Sequence, residues 1–306
     1  MKAVITVATG FVGTWLVREL LTQNDEVTVI VRDKKSIREE WAESVHVVEA
    51  TLEQFSELDN IAFNEKKADI FYHFAWAGTA GNERADVGIQ LKNVEATCEA
   101  VMLAKRLGCK RFVNSGSIME YEAIQYVPSD GARPGMGNIY STAKLTADFM
   151  AKTVATKENI EFINIIISNI YGAGERSARF LNTTLRKMLN DESIAMTHGN
   201  QLYDFIYVTD AVKAITLAAK QGESNAEYYI GNTKQQPLKE YILMMKSVLK
   251  SETEILFGKV PFTGIMLSYE EFDTGKLERM GFVPEVSFEE GIIRTRDWIL
   301  EEENEC

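Results

Sequence analysis

The residues best suited to chemistry in this sequence are Tyr140 and Lys144. Because they lie four positions apart, a helix would place both side chains on one face. A tyrosine acts as a general base only after losing its proton, and lowering its pKa from about 10 to near 7 needs about 4 kcal/mol of differential stabilisation. A lysine ammonium one turn away supplies part of that energy. The pair therefore predicts proton exchange with a substrate oxygen.

Two serines follow a short apolar run about 25 residues before Tyr140. The run Arg111–Asn114 predicts a buried strand, and the small residues Ser115, Gly116 and Ser117 predict a turn at its carboxyl end. Ligands of parallel sheets bind at the carboxyl ends of the strands. A serine hydroxyl there would hydrogen-bond a substrate alkoxide or carbonyl beside the tyrosine.

A glycine-containing turn follows the first predicted strand and opens a helix. The pyrophosphate of a dinucleotide binds at such a helix start, where backbone N–H groups and the positive end of the dipole meet it. The spacing places Gly10 and Gly13 on the second and third glycines of the usual pattern, and Val7 on the first. Gly10 would let the backbone approach the pyrophosphate, and Gly13 would let helix and strand pack closely. If the turn requires an unusual dihedral at Val7, we expect strain of about 1–3 kcal/mol.

The second predicted strand ends at Val31 and is followed by Arg32, Asp33, Lys34 and Lys35. In a dinucleotide fold, the residue at this position meets the adenosine ribose. A carboxylate there suits the 2′-hydroxyl of NAD, whereas an arginine suits the 2′-phosphate of NADP. Arg32 favours NADP(H), while Asp33 beside it leaves NAD(H) possible.

Composition narrows the class of protein. The 306 residues are 45% hydrophobic and carry a net charge of -12, so a nucleic acid or an anionic membrane is an unsuitable partner. The three cysteines show no metal or redox spacing, and no cluster of His, Cys, Asp or Glu predicts a metal site. The first residues suggest a strand, not a signal peptide, and no apolar run is long enough to span a membrane. We expect a cytoplasmic protein.

The elements that must position these residues alternate between short apolar strands and longer amphipathic helices. This pattern predicts an α/β fold with a doubly wound, Rossmann-like parallel sheet and a smaller C-terminal α+β lobe. We expect residues 1–172 to form the dinucleotide-binding domain, with about 203–233 returning to it. The predicted substrate lobe comprises about 173–202 and 234–306. The predicted elements are strands at Val4–Val7, Val27–Val31, Val45–Val48, Ile70–Phe74, Arg111–Asn114, Phe162–Ile167, Asp204–Val208 and Tyr228–Ile230, and helices at Val12–Leu21, Leu91–Leu107, Ile139–Thr156, Phe180–Leu189, Leu238–Leu249 and near the C-terminus.

In this order, the motifs resemble the extended short-chain dehydrogenase/reductases, specifically their nucleotide-sugar epimerases, dehydratases and reductases. The resemblance covers nearly the whole chain. The further segments that carry it are His73–Ala77, Asn93-Val94, Ser168–Gly172, Asp204–Asp210, Phe272–Leu277 and Met280–Pro284.

The resemblance implies a role for each matched residue. Tyr140 would exchange a proton with a sugar hydroxyl or ketone, Lys144 would lower the pKa of Tyr140 and hold the cofactor ribose, and Ser117 would be the catalytic hydroxyl. The residues implied to bind the cofactor are Thr9, Gly10, Phe11, Val12, Gly13, Arg32, Thr51, Leu52, Phe74, Ala75, Trp76, Asn93, Ser115 and Lys144. Substrate contacts are expected at Asn169 and Arg179. The resemblance also implies a homodimer in which helices 91–107 and 139–156 form a four-helix interface.

The sequence departs from the family pattern at four places. Val7 replaces the first glycine, and Thr51 stands where an aspartate is usual. Ile118 and Met119 replace the Asp-Glu pair of the sugar 4,6-dehydratases, which argues against water elimination. Tyr203 stands where many epimerases have an arginine for the diphosphate; Arg176, Arg179 and Arg186 are alternative cations.

Three functions remain open. The first is an NADP(H)-dependent reductase of a nucleotide-linked 4-keto sugar, which Arg32 and the absent dehydratase carboxylates favour. The second is a nucleotide-sugar 4-epimerase with tightly bound NAD. The third is a non-catalytic dinucleotide-binding protein, for which Val7 is the best argument.

Overall fold

The computed structural model describes residues 1–59, 62–64, 67–126, 134–262 and 266–305. The helices and strands up to residue 167 are β1 (Lys2–Thr6), α1 (Phe11–Thr22), β2 (Glu26–Val31), α2 (Glu39–Ala42), β3 (Val45–Glu49), β4 (Ile70–His73), α3 (Val87–Arg106), β5 (Arg111–Ser117), α4 (Met119–Tyr126), α5 (Asn138–Lys157) and β6 (Glu161–Ile167). Those that follow are β7 (Asn169–Tyr171), α6 (Phe180–Leu189), β8 (Ile194–Ala195), β9 (Leu202–Tyr203), β10 (Phe205–Tyr207), α7 (Val208–Gln221), β11 (Glu227–Ile230), β12 (Gln236–Pro237), α8 (Leu238–Leu249), β13 (Ile255–Leu256), α9 (Lys276–Arg279) and α10 (Phe288–Glu305). Short 3₁₀ helices lie at Lys34–Ser36, Leu52–Gln54, Asn82–Ala85 and Tyr269–Glu271.

The chain forms two compact units. The first comprises Met1–Ile167 and Val212–Tyr229, and the second comprises Ser168–Ala211 and the residues from Ile230 onwards. The predicted boundary placed residues 168–172, 203–211 and about 230–233 in the first unit, whereas they lie in the second. The first two segments belong to the second unit because β7 and β10 pair with each other, in parallel, as a separate two-stranded sheet. That the first unit binds cofactor and the second binds substrate stays a prediction.

The first unit is built on a seven-stranded sheet in the order β11-β6-β5-β4-β1-β2-β3. Its pairs from β3 across to β6 are all parallel. The strand order reverses at β1, which pairs with both β2 and β4, and the carboxyl ends of β1 and β4 therefore border the crevice where such folds bind ligands. This sheet confirms the predicted doubly wound Rossmann-like fold.

The core of the first unit explains the near-continuous apolar strands. The rings of Phe71, Phe112 and Phe162 stack across β4, β5 and β6, with centroids 5.5 and 5.8 Å apart. They belong to one buried cluster that includes alanines of α3 and α5, such as Ala104 and Ala151. Small side chains on both helices let the helices pack closely together and against the sheet. This packing fixes the height and rotation of α5, which carries Tyr140 and Lys144.

The second unit has a core of aromatic rings. Tyr171, Phe205, Tyr241 and Phe288 are all buried, and the Tyr241 and Phe288 ring centroids lie 4.7 Å apart. Two further two-stranded sheets, β9–β12 and β8–β13, complete the sheets found in this unit within the described ranges. The unit thus mixes short strands with helices, as expected for an α+β lobe. Among the residues that the structure describes, no helix is both long enough and apolar enough to cross a membrane.

Candidate active site

The turn after β1 forms an open helix start. Strand β1 ends at Thr6, one residue earlier than predicted, and Gly10 caps α1 without any side-chain hydrogen bond. The first turn of α1 contains no acidic residue. Its leading backbone N–H groups therefore have no side-chain partner at the cap, which is the arrangement that binds a phosphate.

Val7 and the two glycines of this turn are sterically linked. A Cβ on Gly13 would lie 2.1 Å from the carbonyl oxygen of Val7, so Gly13 lets the start of α1 pack closely against the turn that follows β1. A Cβ on Gly10 would lie 3.0 Å from Cγ1 of Val7. Val7 itself has a φ of 57°, in the left-handed region that a β-branched residue rarely adopts. The unusual dihedral anticipated at this position is therefore present.

The segment after β4 is held by two buried polar side chains, Thr6 and Asn93. Thr6 Oγ1 accepts hydrogen bonds from the backbone N–H groups of Phe74 and Ala75, at 2.9 Å each. Asn93 Oδ1 accepts a hydrogen bond from the Ala77 N–H, and Asn93 Nδ2 donates one to the Ala77 carbonyl oxygen, both at 2.9 Å. The Asn93 side chain fixes the shape of the loop that follows β4, and its predicted contact with the cofactor stays a prediction. Sequence reasoning did not identify Thr6.

Tyr140 and Lys144 lie on one face of α5, as predicted, beside the carboxyl end of β5. Tyr140 is 9% exposed and Lys144 is 5% exposed. Lys144 Nζ donates a hydrogen bond of 2.8 Å to the carbonyl oxygen of Ser115 and lies 3.7 Å from the ring centroid of Trp76. The Trp76 ring meets the Tyr140 ring edge-on at 6.0 Å. Trp76, Ser115, Tyr140 and Lys144 therefore form one contiguous group at the end of the sheet.

The serine segment is a strand and not a turn. Ser115, Gly116 and Ser117 are the last residues of β5, and Ser117 is in register with Ile167 of β6. The prediction of a turn was wrong because pairing along the full length of β6 overrides the turn preference of small residues. The carboxyl end of β5 nevertheless presents Ser117, whose Oγ accepts a hydrogen bond from the Met119 N–H at 3.2 Å.

A buried polar network lies behind this strand end. Glu120 accepts hydrogen bonds from the Ser117 N–H at 2.7 Å and from Asn164 Nδ2 at 3.3 Å. A larger residue in place of Gly116 would displace this network, because a Cβ there would lie 2.7 Å from Asn164 Oδ1 and 2.9 Å from Glu120 Oε1. Burial, together with the Asp148 carboxylate, raises the pKa of Glu120 to about 8. The Glu120 carboxyl group is thus a core element of the network, which the sequence did not predict.

The predicted adenosine side of the cofactor site is exposed. Arg32 directly follows β2, and within the described ranges it forms no hydrogen bond or ion pair. The Thr51 N–H donates to Gln54 Oε1 at 2.8 Å, and Leu52 packs on the hydrophobic core. Arg38, which sequence reasoning passed over, donates from Nε to Thr14 Oγ1 at 3.2 Å and so reaches the first turn of α1.

In the second unit, the structure separates the candidate cations. Arg176 pairs with Glu302, and Arg186 pairs with Glu302 and Glu303, so neither is a free cation for a diphosphate. Arg179 is exposed at the start of α6 and has no ion-pair partner among the described residues. Asn169 Nδ2 donates to the carbonyl oxygen of Asp204 at 3.1 Å. The substrate roles of Asn169 and Arg179 stay predictions.

Comparison with known proteins shows which family the chain belongs to. The family model described as "NAD dependent epimerase/dehydratase family" matches residues 3–231. CDP-abequose synthase of Salmonella muenchen is 26% identical over 95% of both chains, and a putative UDP-glucose 4-epimerase of Methanocaldococcus jannaschii is 25% identical over 96% of this chain and 97% of its own. The solved UDP-glucuronic acid 4-epimerase of Bacillus cereus, in complex with UDP-glucuronic acid and NAD, has a TM-score of 0.79 at 18% identity and covers 99% of this chain and 100% of its own. The match over most of the chain shows that this protein belongs to the NAD-dependent epimerase/dehydratase family, a group of extended short-chain dehydrogenase/reductases.

Proposed function

We propose that this protein is an NADP(H)-dependent reductase of a nucleotide-linked 4-keto sugar. The observation that carries the proposal is the group of Tyr140, Lys144 and Ser115 at the carboxyl end of β5, combined with an exposed Arg32 at the end of β2. The first feature suits proton transfer to a sugar oxygen, and the second suits a 2′-phosphate.

The residues of the first unit fit a dinucleotide. The open start of α1 and the glycine at position 13 would receive the pyrophosphate, and Arg32 would meet the adenosine ribose. We expect the nicotinamide half to contact Lys144, Phe74, Ala75 and Trp76, of which Lys144 and Trp76 are in contact with each other. When bound, the reduced nicotinamide supplies the hydride that turns a carbonyl carbon into a carbinol.

The protein's own side chains would supply the proton that the substrate carbonyl oxygen gains. Tyr140 would donate its phenolic proton to the carbonyl oxygen as negative charge develops there, and the Lys144 ammonium would stabilise the phenolate that results. Ser117 Oγ already accepts from the Met119 N–H, and its hydroxyl hydrogen has no described acceptor, so it can donate to the same substrate oxygen. The backbone carbonyl of Ser115 fixes the position of the ammonium.

Water elimination is not supported by this site. The dehydratase carboxylates are replaced by Ile118, which is buried, and by Met119. Glu120 does not take their place, because both of its oxygens accept hydrogen bonds from the network behind β5.

The alternative proposal is a nucleotide-sugar 4-epimerase that holds NAD. The similarity to a putative UDP-glucose 4-epimerase over nearly the full length of both chains favours it, and so does the carboxylate of Asp33 beside Arg32. Both activities need Tyr140 and Lys144, so the cofactor decides between them.

The test begins with the purified protein, assayed for bound NAD and titrated with NADPH and NADH by nicotinamide fluorescence. We expect NADPH to bind more tightly than NADH, and CDP- or UDP-linked 4-keto sugars to be reduced with consumption of NADPH. A Tyr140→Phe variant should bind NADPH normally and lose turnover. Purification with NAD bound, and interconversion of 4-epimers without net cofactor consumption, would establish the epimerase instead. Absence of binding to either cofactor would refute both.

We also propose that the protein is a homodimer that associates through α3 and α5. These helices pack on each other, yet their outer faces expose large apolar side chains, among them Leu91 and Phe149, each 61% exposed. A shallow groove between the helices is lined by apolar and small residues, including Leu91, Ile139 and Ala143. Exposed apolar surface on two adjacent helices is typical of a subunit interface.

A further inference from the structure

A second cation lies against the Tyr140 ring. Arg84 belongs to the short 3₁₀ helix between β4 and α3, and its guanidinium carbon lies 4.3 Å from the centroid of the Tyr140 ring. Its Nε is buried and has no hydrogen-bond partner among the described residues. No carboxylate in the described ranges forms an ion pair with this guanidinium, so its charge is available to the ring.

The backbone around Arg84 is fixed by α3. Gln90 Nε2 donates to the carbonyl oxygens of Gly78 at 3.0 Å and Glu83 at 3.2 Å. Asp86 caps α3 by accepting the Ile89 N–H at 2.9 Å. Gly78 has a φ of 66°, and a Cβ there would lie 2.8 Å from the Glu83 carbonyl oxygen. These hydrogen bonds therefore hold the backbone that carries Arg84 in position for its contact with Tyr140.

The two rings and two cations form a continuous stack. The guanidinium of Arg84 covers the Tyr140 ring, the Trp76 ring meets Tyr140 edge-on, and the Lys144 ammonium covers the Trp76 ring. A cation over an aromatic face is attracted by the electron density of the ring, and removal of water strengthens the attraction. Ionisation of the phenol adds a full negative charge to Tyr140, so both cations favour the phenolate.

We propose that Arg84 is a positioning residue that stabilises the phenolate form of Tyr140 together with Lys144. The inference rests on the proposed role of Tyr140 as acid/base, and it assigns to the loop after β4 a part in that chemistry.

The other titratable groups facing this part of α5 do not replace Arg84. Helix α4 contributes Glu120, which would oppose ionisation of Tyr140 only above its own raised pKa of about 8, and Glu122, which accepts a hydrogen bond from Ser141 Oγ at 3.0 Å. Strand β4 contributes His73, and because burial, with the Lys144 charge, lowers its pKa to about 3, it is neutral near pH 7. Helix α3 presents the uncharged Gln90 and Asn93. Helix α5 itself adds the buried Asp148, whose carboxylate would also oppose ionisation of Tyr140. Arg84 and Lys144 are therefore the cations that lie over the Tyr140 and Trp76 rings.

The test measures ionisation of Tyr140 directly, without cofactor or substrate. Ultraviolet difference spectra of the phenolate are recorded against pH for the full chain and for Tyr140→Phe, and subtraction isolates Tyr140 from the other tyrosines. We expect Arg84→Met to raise the Tyr140 midpoint by about 1–2 pH units, the usual effect of losing an opposite charge at this range. Arg84→Lys should restore most of the shift. Because no ligand is used, failure of the proposed reductase activity would not affect this result.

A matched control is Arg18→Met, which removes a guanidinium lying 4.4 Å from the ring centroid of Trp15, also in the first unit. It should leave the Tyr140 midpoint unchanged. Circular dichroism checks that each variant folds, and Arg84→Gln substitutes for Arg84→Met if the latter does not. An unchanged midpoint in the folded charge-removing variant, or an equal shift in Arg84→Lys, would overturn the proposal.

Discussion

Two substitutions of Val7, to glycine and to alanine, test whether the turn after β1 stores backbone strain. Val7 has a φ of 57° and is 40% exposed, so it occupies a left-handed position without full burial of its side chain. Both substitutions remove Cγ1 of Val7, the atom that a Cβ at position 10 would meet at 3.0 Å. Only the glycine variant relieves the conformational penalty, so comparing the two variants isolates the strain.

The expected difference follows from two opposing terms. An L-residue with a Cβ in the left-handed region costs about 1–2 kcal/mol. Glycine lowers the free energy of unfolding by about 0.5–1 kcal/mol relative to alanine, because it has greater conformational freedom in the unfolded chain. We therefore expect Val7→Gly to be more stable than Val7→Ala by about 0.5–1 kcal/mol. At an ordinary helix or strand position the order would be reversed, so the sign alone is informative.

Urea unfolding of both variants, followed by circular dichroism under identical conditions, measures this difference through the transition midpoints. Thermal unfolding should place Val7→Gly a few degrees above Val7→Ala. If Val7→Ala proves equally stable or more stable, Val7 is not held in the left-handed region and the strain argument fails. NADPH titration of the same variants then shows whether the valine side chain at this turn impedes the cofactor.

Three further predictions follow from the site and its surroundings. Arg32→Asp should weaken NADPH binding by about 10- to 100-fold and leave NADH binding unchanged, because a hydrogen bond to a charged group contributes about 1.5–3 kcal/mol. Fluorescence titration measures both affinities, and an equal loss of affinity for the two cofactors would contradict a contact between Arg32 and the 2′-phosphate. The folded-state pKa of Glu120 is raised from 4.5 to about 8, so the stability that its protonated form contributes is full below about pH 4.5 and is lost as the pH rises through 8. Glu120→Gln should therefore flatten the decline in unfolding free energy between pH 6 and 8, as measured by urea unfolding, and an unchanged slope would show that Glu120 is ionised throughout. Leu91→Glu should convert a dimer into a 34.5 kDa monomer in size-exclusion chromatography, whereas Leu243→Glu, at a site 41% exposed on α8, should not; equal elution of both variants would exclude α3 from the interface.

The sequence predicted elements best where burial dictates the pattern. The strands of the parallel sheet are apolar on both faces, and α6 was predicted at Phe180–Leu189 and observed there. Helix α4 was not predicted, because Glu120 and Glu122 are buried on it and break the expected polar face. Helix α7 was not predicted either, since it begins at Val208 directly after the extended segment of β10, without a glycine or proline between them.

In the candidate site, too, local sequence patterns predicted some features, whereas features formed by contacts between distant segments were missed. Local spacing was sufficient to pair Tyr140 with Lys144 and to place Val7, Gly10 and Gly13 in one turn. Arg84 escaped notice because its contact with Tyr140 joins segments far apart in the chain, and nothing local marks a cation that will cover a ring. The role of Asn93 as a loop support was hidden for the same reason, because its partner, Ala77, offers only backbone atoms.

The outermost strand of the large sheet has a consequence for biosynthesis. Strand β11 pairs with β6, yet about 60 residues separate them, and at a translation rate of about 5–20 residues per second the ribosome needs about 3–12 s to make that stretch. During this interval β6, whose sequence is EFINIII, is an uncovered sheet edge rich in isoleucine, the kind of segment that recruits other chains. Nascent chains of this protein should therefore be vulnerable to aggregation in the window between emergence of Ile167 and emergence of Ile230, and dependence on a chaperone should be concentrated there.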